Sequence, residues 1–201
     1  MPGRFLLAGT LAVCLLLALC ARAAADTSAA VTLADRYSPV IAVQPQPKPC
    51  GPGEAYRPTA VDILLGNSEV VLRNSEGKVV KRGPTAQDLS GAPASDYIDL
   101  GGKPLGPGCF YEKQFKRWFG DRNPSVYAHV ATDREHPGTL AVQYWFFYTF
   151  NDFTNKHEGD WEMAQVDFDA ANPEQALRTG PYEVDLAQHA GGERGALTGV
   201  A

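Results

Sequence analysis

The sequence predicts a mainly β protein, an antiparallel β-sandwich with short flanking helices, and three observations carry that prediction. The 201 residues include 20 Gly and 15 Pro, a bias toward turns over long helices. Four segments of strand length, 125–131, 139–150, 160–168 and 182–189, alternate or run apolar and are separated by short polar stretches. Within the second, Tyr144-Trp145-Phe146-Phe147-Tyr148 is apolar on both faces, as a central strand is. Sequential strands joined by short turns pair antiparallel, which makes the sandwich the economical arrangement. The length suits one domain with a substantial core, and 10% aromatic residues argue against disorder. The 18 basic and 23 acidic residues give a net charge of −5, with no basic stripe for nucleic acid to follow.

The first element is not part of the fold. Arg4 precedes an uncharged stretch from Phe5 to Ala21, followed by small residues around Ala23 and Ala25. This is the layout of a secretory signal peptide over 1–25. The alternative, a retained membrane anchor, rests on 17 uncharged residues, at the short limit for a span. The expectation is therefore an exported protein: secreted, periplasmic or on the cell surface. Without Arg4 and Arg22 the remainder carries 16 basic and 23 acidic residues, a net of −7. Cys14 and Cys20 leave with the leader, so Cys50 and Cys109 form an even pair in an exported chain. Both lie in Gly/Pro turns, and a disulfide between them is expected to stabilise by about 3–5 kcal/mol in the chain-entropy picture.

Residues 26–60 read as an extended N-terminal segment and proline-rich connector, with Tyr37 to Val43 as a first strand and Gln44 to Pro52 exposed. The sandwich domain is expected over 61–201. Val61–Leu65 and Glu69–Leu72 flank Gly66-Asn67 in a hairpin-like pattern. Lys78 to Ala94 is weakly patterned and reads as loop. Tyr111 to Phe119 spaces its aromatic residues as a short amphipathic helix does. Ser125–Ala131, Thr139–Phe150, Asp160–Phe168 and Tyr182–His189 are the strands, with a helical turn at Asn172–Leu177. After His189 the Gly-rich stretch shows no closing strand, so the sandwich is expected to be incomplete at its C-terminal end.

The chemistry-bearing residues lie between the two longest strands. Strand residues two apart share a face at a rise of about 3.3 Å per residue, which places Asp160 and Glu162 together about 6.6 Å apart. Ala164, Val166 and Phe168 continue that face, so two acids sit at the mouth of an apolar surface. Gly159 permits a turn bringing His157 over the strand start, and Asp152 on the preceding loop lies within reach. Close carboxylates repel unless a cation or raised pKa values hold them. An oxygen-rich set with one imidazole suits Ca²⁺ or Mg²⁺, leaving room for Mn²⁺ or Zn²⁺. It is not the His-Glu-x-x-His pattern of zinc peptidases, since residue 161 is Trp. The plainer alternative is a solvated polar strand start, with Asp160 capping a turn.

These residues carry a resemblance. Tyr144–Tyr148, Asn151-Asp152-Phe153 and His157-Glu158-Gly159-Asp160-Trp161-Glu162-Met163 resemble the domain of vacuolar protein sorting-associated protein 62 relatives, which include a bacterial exported branch. Tyr127–Ala131 and Gln188–Arg194 also look like parts of that branch. More remotely, the same block is similar to the necrosis- and ethylene-inducing peptide family, whose heptapeptide contains His-x-x-Asp-x-Glu. That pattern falls on His157, Asp160 and Glu162, and the family's further metal-site aspartate maps to Asp152. The resemblance implies a β-sandwich with flanking helices, a divalent cation at its top and a sphingolipid head group beside it. The chain departs at Gly159, where the family has a second histidine, and at Glu158, where it has arginine.

His189 is a possible additional ligand on an adjacent strand, against a hydrogen-bonded surface role. His129 reads as structural, His136 as a turn residue, and Trp145 and Trp161 as core. Three functions follow: an exported binder of a divalent cation and of a glycan or membrane-lipid head group; a metal-dependent hydrolase with His157 or Glu158 as base; or a non-catalytic structural or interaction domain.

Overall fold

A computed structural model describes residues 27–106, 109–132, 134–188 and 191–197. The predicted leader over 1–25 and His189 lie outside the described residues. The fold is mainly β, with two antiparallel sheets and short helices, as expected. A three-stranded sheet has the order β2-β1-β3, from β1 (Val71–Arg73), β2 (Val79–Arg82) and β3 (Tyr97–Asp99). A five-stranded meander runs β4 (Tyr127–Thr132), β5 (Thr139–Asn151), β6 (His157–Asp169), β7 (Glu183–Gln188) and β8 (Gly191–Ala196). The helices are α1 over 27–36, α2 (Ala86–Ser90), α3 (Phe110–Phe119) and α4 (Pro173–Thr179), with one 3-10 turn at Val61–Ile63.

The described residues form two compact units that interleave along the chain. The first comprises 27–39, 128–144 and 163–197. Its core follows from alternation: Leu140, Val142 and Tyr144 on β5, and Val166 and Phe168 on β6, are buried at every second position. Helix α1 closes this core. Leu33 is fully buried, Tyr37 meets Phe168 edge-on at 5.1 Å, and the Tyr144 hydroxyl donates to the Ala34 carbonyl at 2.8 Å.

The second unit comprises 40–127 and 145–162. Its core is built on α3, whose buried Tyr111, Phe115, Trp118 and Phe119 follow the helical spacing. Ile63, Leu64, Val70, Leu100, Phe147 and Phe150 pack in the same cluster. The proline-rich connector is tied down at Glu112, whose carboxylate accepts from the Cys50 backbone N–H at 2.9 Å and from Gln46 Nε2 at 2.8 Å. Burial raises the Glu112 pKa, but Lys116, Gln46 and Cys50 outweigh it and hold the carboxyl below its usual range. The predicted disulfide is present, with Cys50 and Cys109 Cα atoms 5.6 Å apart across a separation of 59 residues.

Five elements differ from expectation. The segment expected to be extended begins with a helix, because Ala29, Ala30, Leu33, Ala34 and Tyr37 recur at helical spacing. The predicted strand Tyr37–Val43 is unpaired: Pro39 lacks a donor, and Val40 is 97% exposed. The expected hairpin around Gly66 is a 3-10 turn followed by β1, which pairs with β2 and β3 instead. The expected loop at 78–94 holds β2 and α2; Thr85 caps α2 in a reciprocal capping box with Asp88. Finally, the Gly-rich end does form a strand. β8 pairs with β7 from Glu183↔Ala196 to Gln188↔Gly191, since ladder hydrogen bonds need backbone rather than side chains.

Candidate functional site

Strand β6 begins at His157, three residues earlier than its apolar alternation suggests, and so carries three of the four predicted ligands. In a regular strand, residues three apart point to opposite faces. Gly159 breaks that rule: its φ is +68°, a left-handed conformation favouring glycine. His157 and Asp160 thereby face each other, with Nε2 3.4 Å from Asp160 Oδ1. A Cβ at position 159 would meet only the Phe147 ring, at 3.9 Å, so φ rather than space demands glycine.

The imidazole is oriented from behind. His157 Nδ1 lies 2.6 Å from the Asn155 carbonyl oxygen, which only accepts, so this partner assigns the proton to Nδ1. Asn151 orders the same loop, donating to Asn155 Oδ1 at 3.0 Å and accepting from the Phe153 backbone N–H at 2.9 Å. In the neutral Nδ1–H tautomer, Nε2 presents a lone pair to a carboxylate oxygen. Two acceptors in that relation need a positive charge between them, a proton on Nε2 or a metal ion. Their 3.4 Å separation is wide for a charge-assisted hydrogen bond of about 2.7–2.9 Å.

Glu162 and Asp160 both act on Tyr148 of β5. Burial first, then the Glu54, Glu162 and Asp160 carboxylates, push the Tyr148 phenol above its ordinary value. Three acids around one half-buried phenol make a strongly negative locality. Tyr148 and Glu54 are additions that sequence reasoning missed. The even-numbered positions of β5 gave a signal for Tyr148, whereas nothing local announces Glu54, about a hundred residues earlier.

Asp152 is placed differently. It pairs with Lys156 at 2.6 Å and borders a cleft of about 450 Å³ whose lining includes Tyr56, Gly102, Tyr111, Phe150 and the disulfide. Among the described residues, groups of three acidic, Cys or His ligand atoms within 4.8 Å of one another are Cys50–Cys109–Glu112 and Asp167–Glu183–Asp185. The sulfurs of the first are joined in the disulfide. The predicted four do not form such a group. Its donor types, one imidazole nitrogen and carboxylate oxygens, suit a hard divalent cation.

Glu158 points away from this pair. Its Oε2 accepts from the Leu100 backbone N–H at 2.7 Å, and its Oε1 from the Tyr111 hydroxyl at 2.5 Å. Burial raises its pKa above the ordinary carboxyl value despite these bonds. With both oxygens engaged, Glu158 anchors the strand start to α3 and the end of β3. His129 is exposed and contacts Gln143 at 3.3 Å instead of packing in a layer. Trp145 and Trp161, expected in the core, are 36% and 47% exposed. The run that looks apolar on both faces gives one of them to the surface.

No family model matches the chain, and no curated protein matches it. Among solved structures, NLPPya in complex with mannosamine is 18% identical with a TM-score of 0.41, over 85% of this chain and 55% of that one. A structure described as a toxin fold for microbial attack and plant defense is 20% identical with a TM-score of 0.29, over 35% of this chain and 31% of that one. The chain thus spans from about a third to just over half of these structures' length. They are remote structural neighbours of the necrosis- and ethylene-inducing toxin fold, and at these values the likeness bears on neither ligand nor activity.

Proposed function

We propose that this is an exported protein that binds a divalent cation, Ca²⁺ or Mg²⁺ with Mn²⁺ as the alternative, through His157, Asp160 and Glu162. One observation supports the reading: His157 Nε2 faces an Asp160 carboxylate oxygen at 3.4 Å, and the Asp160 and Glu162 carboxylates both act on Tyr148. The Asn155 carbonyl fixes the imidazole as outer partners fix metal-binding histidines. Asp152 joins the set only by exchanging Lys156 for the ion. When bound, the ion supplies a positive centre for an anionic or polyhydroxylated group, and a glycan or membrane-lipid head group is the proposed partner beside it. Both Glu158 oxygens are engaged with Leu100 and Tyr111, which gives that residue an anchoring role beside the proposed binding site.

Calorimetric titration of the purified protein with Ca²⁺, Mg²⁺ and Mn²⁺ tests the proposal. Saturable binding is expected in the parent, lost in His157→Ala and Asp160→Ala. Equal titration of the folded parent and both variants, or none by any ion, overturns it.

A further inference from the structure

We propose that Tyr127, Trp145 and Trp161 form a cage for a quaternary ammonium group. The inference does not rest on the cation site described above. The three residues come from the adjacent strands β4, β5 and β6, and among the described residues they line one shallow, open surface depression. Their exposures are 38%, 36% and 47%, unusual for three clustered aromatic residues on a sheet. The Trp145 and Trp161 rings are 6.4 Å apart between centroids and inclined at 77°; Tyr127 and Trp161 are 5.8 Å apart at 51°. A cation about 4.5 Å from two ring centres at right angles puts those centres about 6.4 Å apart, within cation–π range of both.

The cage is braced before any ligand arrives. The buried Phe147 packs against Trp161 at 5.0 Å, and the Val61 backbone N–H donates to the Tyr127 hydroxyl at 2.9 Å. The geometry also selects the ligand. A pyranose wants a flat aromatic platform and acceptors for its hydroxyls, and inclined carbon walls provide neither. A primary ammonium would bring three N–H donors into a hollow walled by rings. A trimethylammonium group has no donors, sheds water readily and presents methyl groups to every wall. The net charge of −5 favours cations at long range. Cross-strand aromatic contacts also stabilise sheets, so the test must read binding separately from stability.

The probes are tetramethylammonium and choline, titrated against tryptophan fluorescence of the full chain, with 3,3-dimethylbutan-1-ol as the uncharged isostere of choline. Saturable quenching by both cations is expected, with the isostere about tenfold weaker or worse. Trp161→Ala is expected to weaken choline at least about tenfold while Trp161→Phe retains most of the affinity. Trp145→Leu keeps an apolar side chain but removes a ring face, guarding against an unfolded Ala variant; it too is expected to lose choline while its circular dichroism is unchanged. Capture on phosphatidylcholine but not phosphatidylglycerol vesicles supports a lipid source of the group. Titration by choline without vesicle capture supports a soluble source. Isostere binding equal to choline, or affinity unchanged in folded Trp161→Ala and Trp145→Leu proteins, overturns the cage.

Discussion

Strand β6 meets carboxylates near both of its ends, and the two sets are neutralised differently. Near its start Asp160 faces an imidazole, and Tyr148 feels Asp160, Glu162 and Glu54 together. Near its end Asp167 gathers with Glu183 and Asp185 of β7, and Arg194 of β8 reaches across: its Nε lies 2.8 Å from Asp185 Oδ1 and 3.3 Å from Glu183 Oε1. Gln165 donates to Asp167 at 3.0 Å and accepts from Gln143 at 2.9 Å, extending a polar ladder over the strands. A guanidinium is charged at every relevant pH, whereas an imidazole is charged only when protonated. The same acid-x-acid pattern therefore meets a permanent guanidinium charge in one place and an imidazole in the other.

The strongest way to break this comparison is to add the ion. A divalent cation at 100 times its Kd is expected to raise unfolding free energy by about 2.7 kcal/mol, read from the urea midpoint. Asp160→Asn should abolish the response and Asp185→Asn should leave it intact; the reverse pattern would show that the wrong cluster has been assigned. Next, Tyr111→Phe removes the hydroxyl that holds Glu158 beneath the site. A loss of about 2 kcal/mol is expected, and a loss within error of zero would mean that water replaces the hydroxyl. Gly159→Ala forces a side chain into a left-handed conformation at about 1–2 kcal/mol. Relaxation of residue 159 to ordinary strand geometry instead would return His157 and Asp160 to opposite faces and remove the ion response.

The cluster around Arg194 makes a pH prediction. Burial first, opposed by the Gln165 hydrogen bond and joined by Asp185 and Glu183, raises Asp167 above its ordinary 3.8. A raised folded pKa means that the native state holds the proton more tightly than the unfolded chain. The associated stability is present below the unfolded pKa and is lost as pH rises through the folded value. Asp167→Asn, permanently neutral, should flatten the fall of the urea midpoint as pH rises above about 4. The smallest effect is expected from Arg194→Met, which exposes the carboxylates of this cluster to one another; a second, weak ion response in calorimetry should appear, and its absence would show that Arg194 is not what distinguishes the clusters.

Much of the fold was legible because it rests on local periodicity. The long apolar runs of β5 and β6 and the aromatic spacing of α3 each identify themselves within ten or so residues. Strand β8 was not legible: its glycines carry no alternation, and its place depends on the edge that β7 offers. Helix α1 was obscured by the apolar Val40–Val43 stretch beside it. At the site, the pairing of His157 with Asp160 was readable through Gly159, but the contribution of Glu54 was not. The exposure of Trp145 and Trp161 was also hidden, since an aromatic run does not say which of its faces a sheet leaves open.

The sequence alone determined the class of fold, the disulfide pair and the approach of His157 to Asp160, because strand alternation and one flexible glycine act over a few residues. Tertiary structure decided which acids receive an internal cation, which tryptophans reach the surface and where Asp152 turns. Those outcomes depend on neighbours brought in by strand pairing, and no short window of sequence contains them.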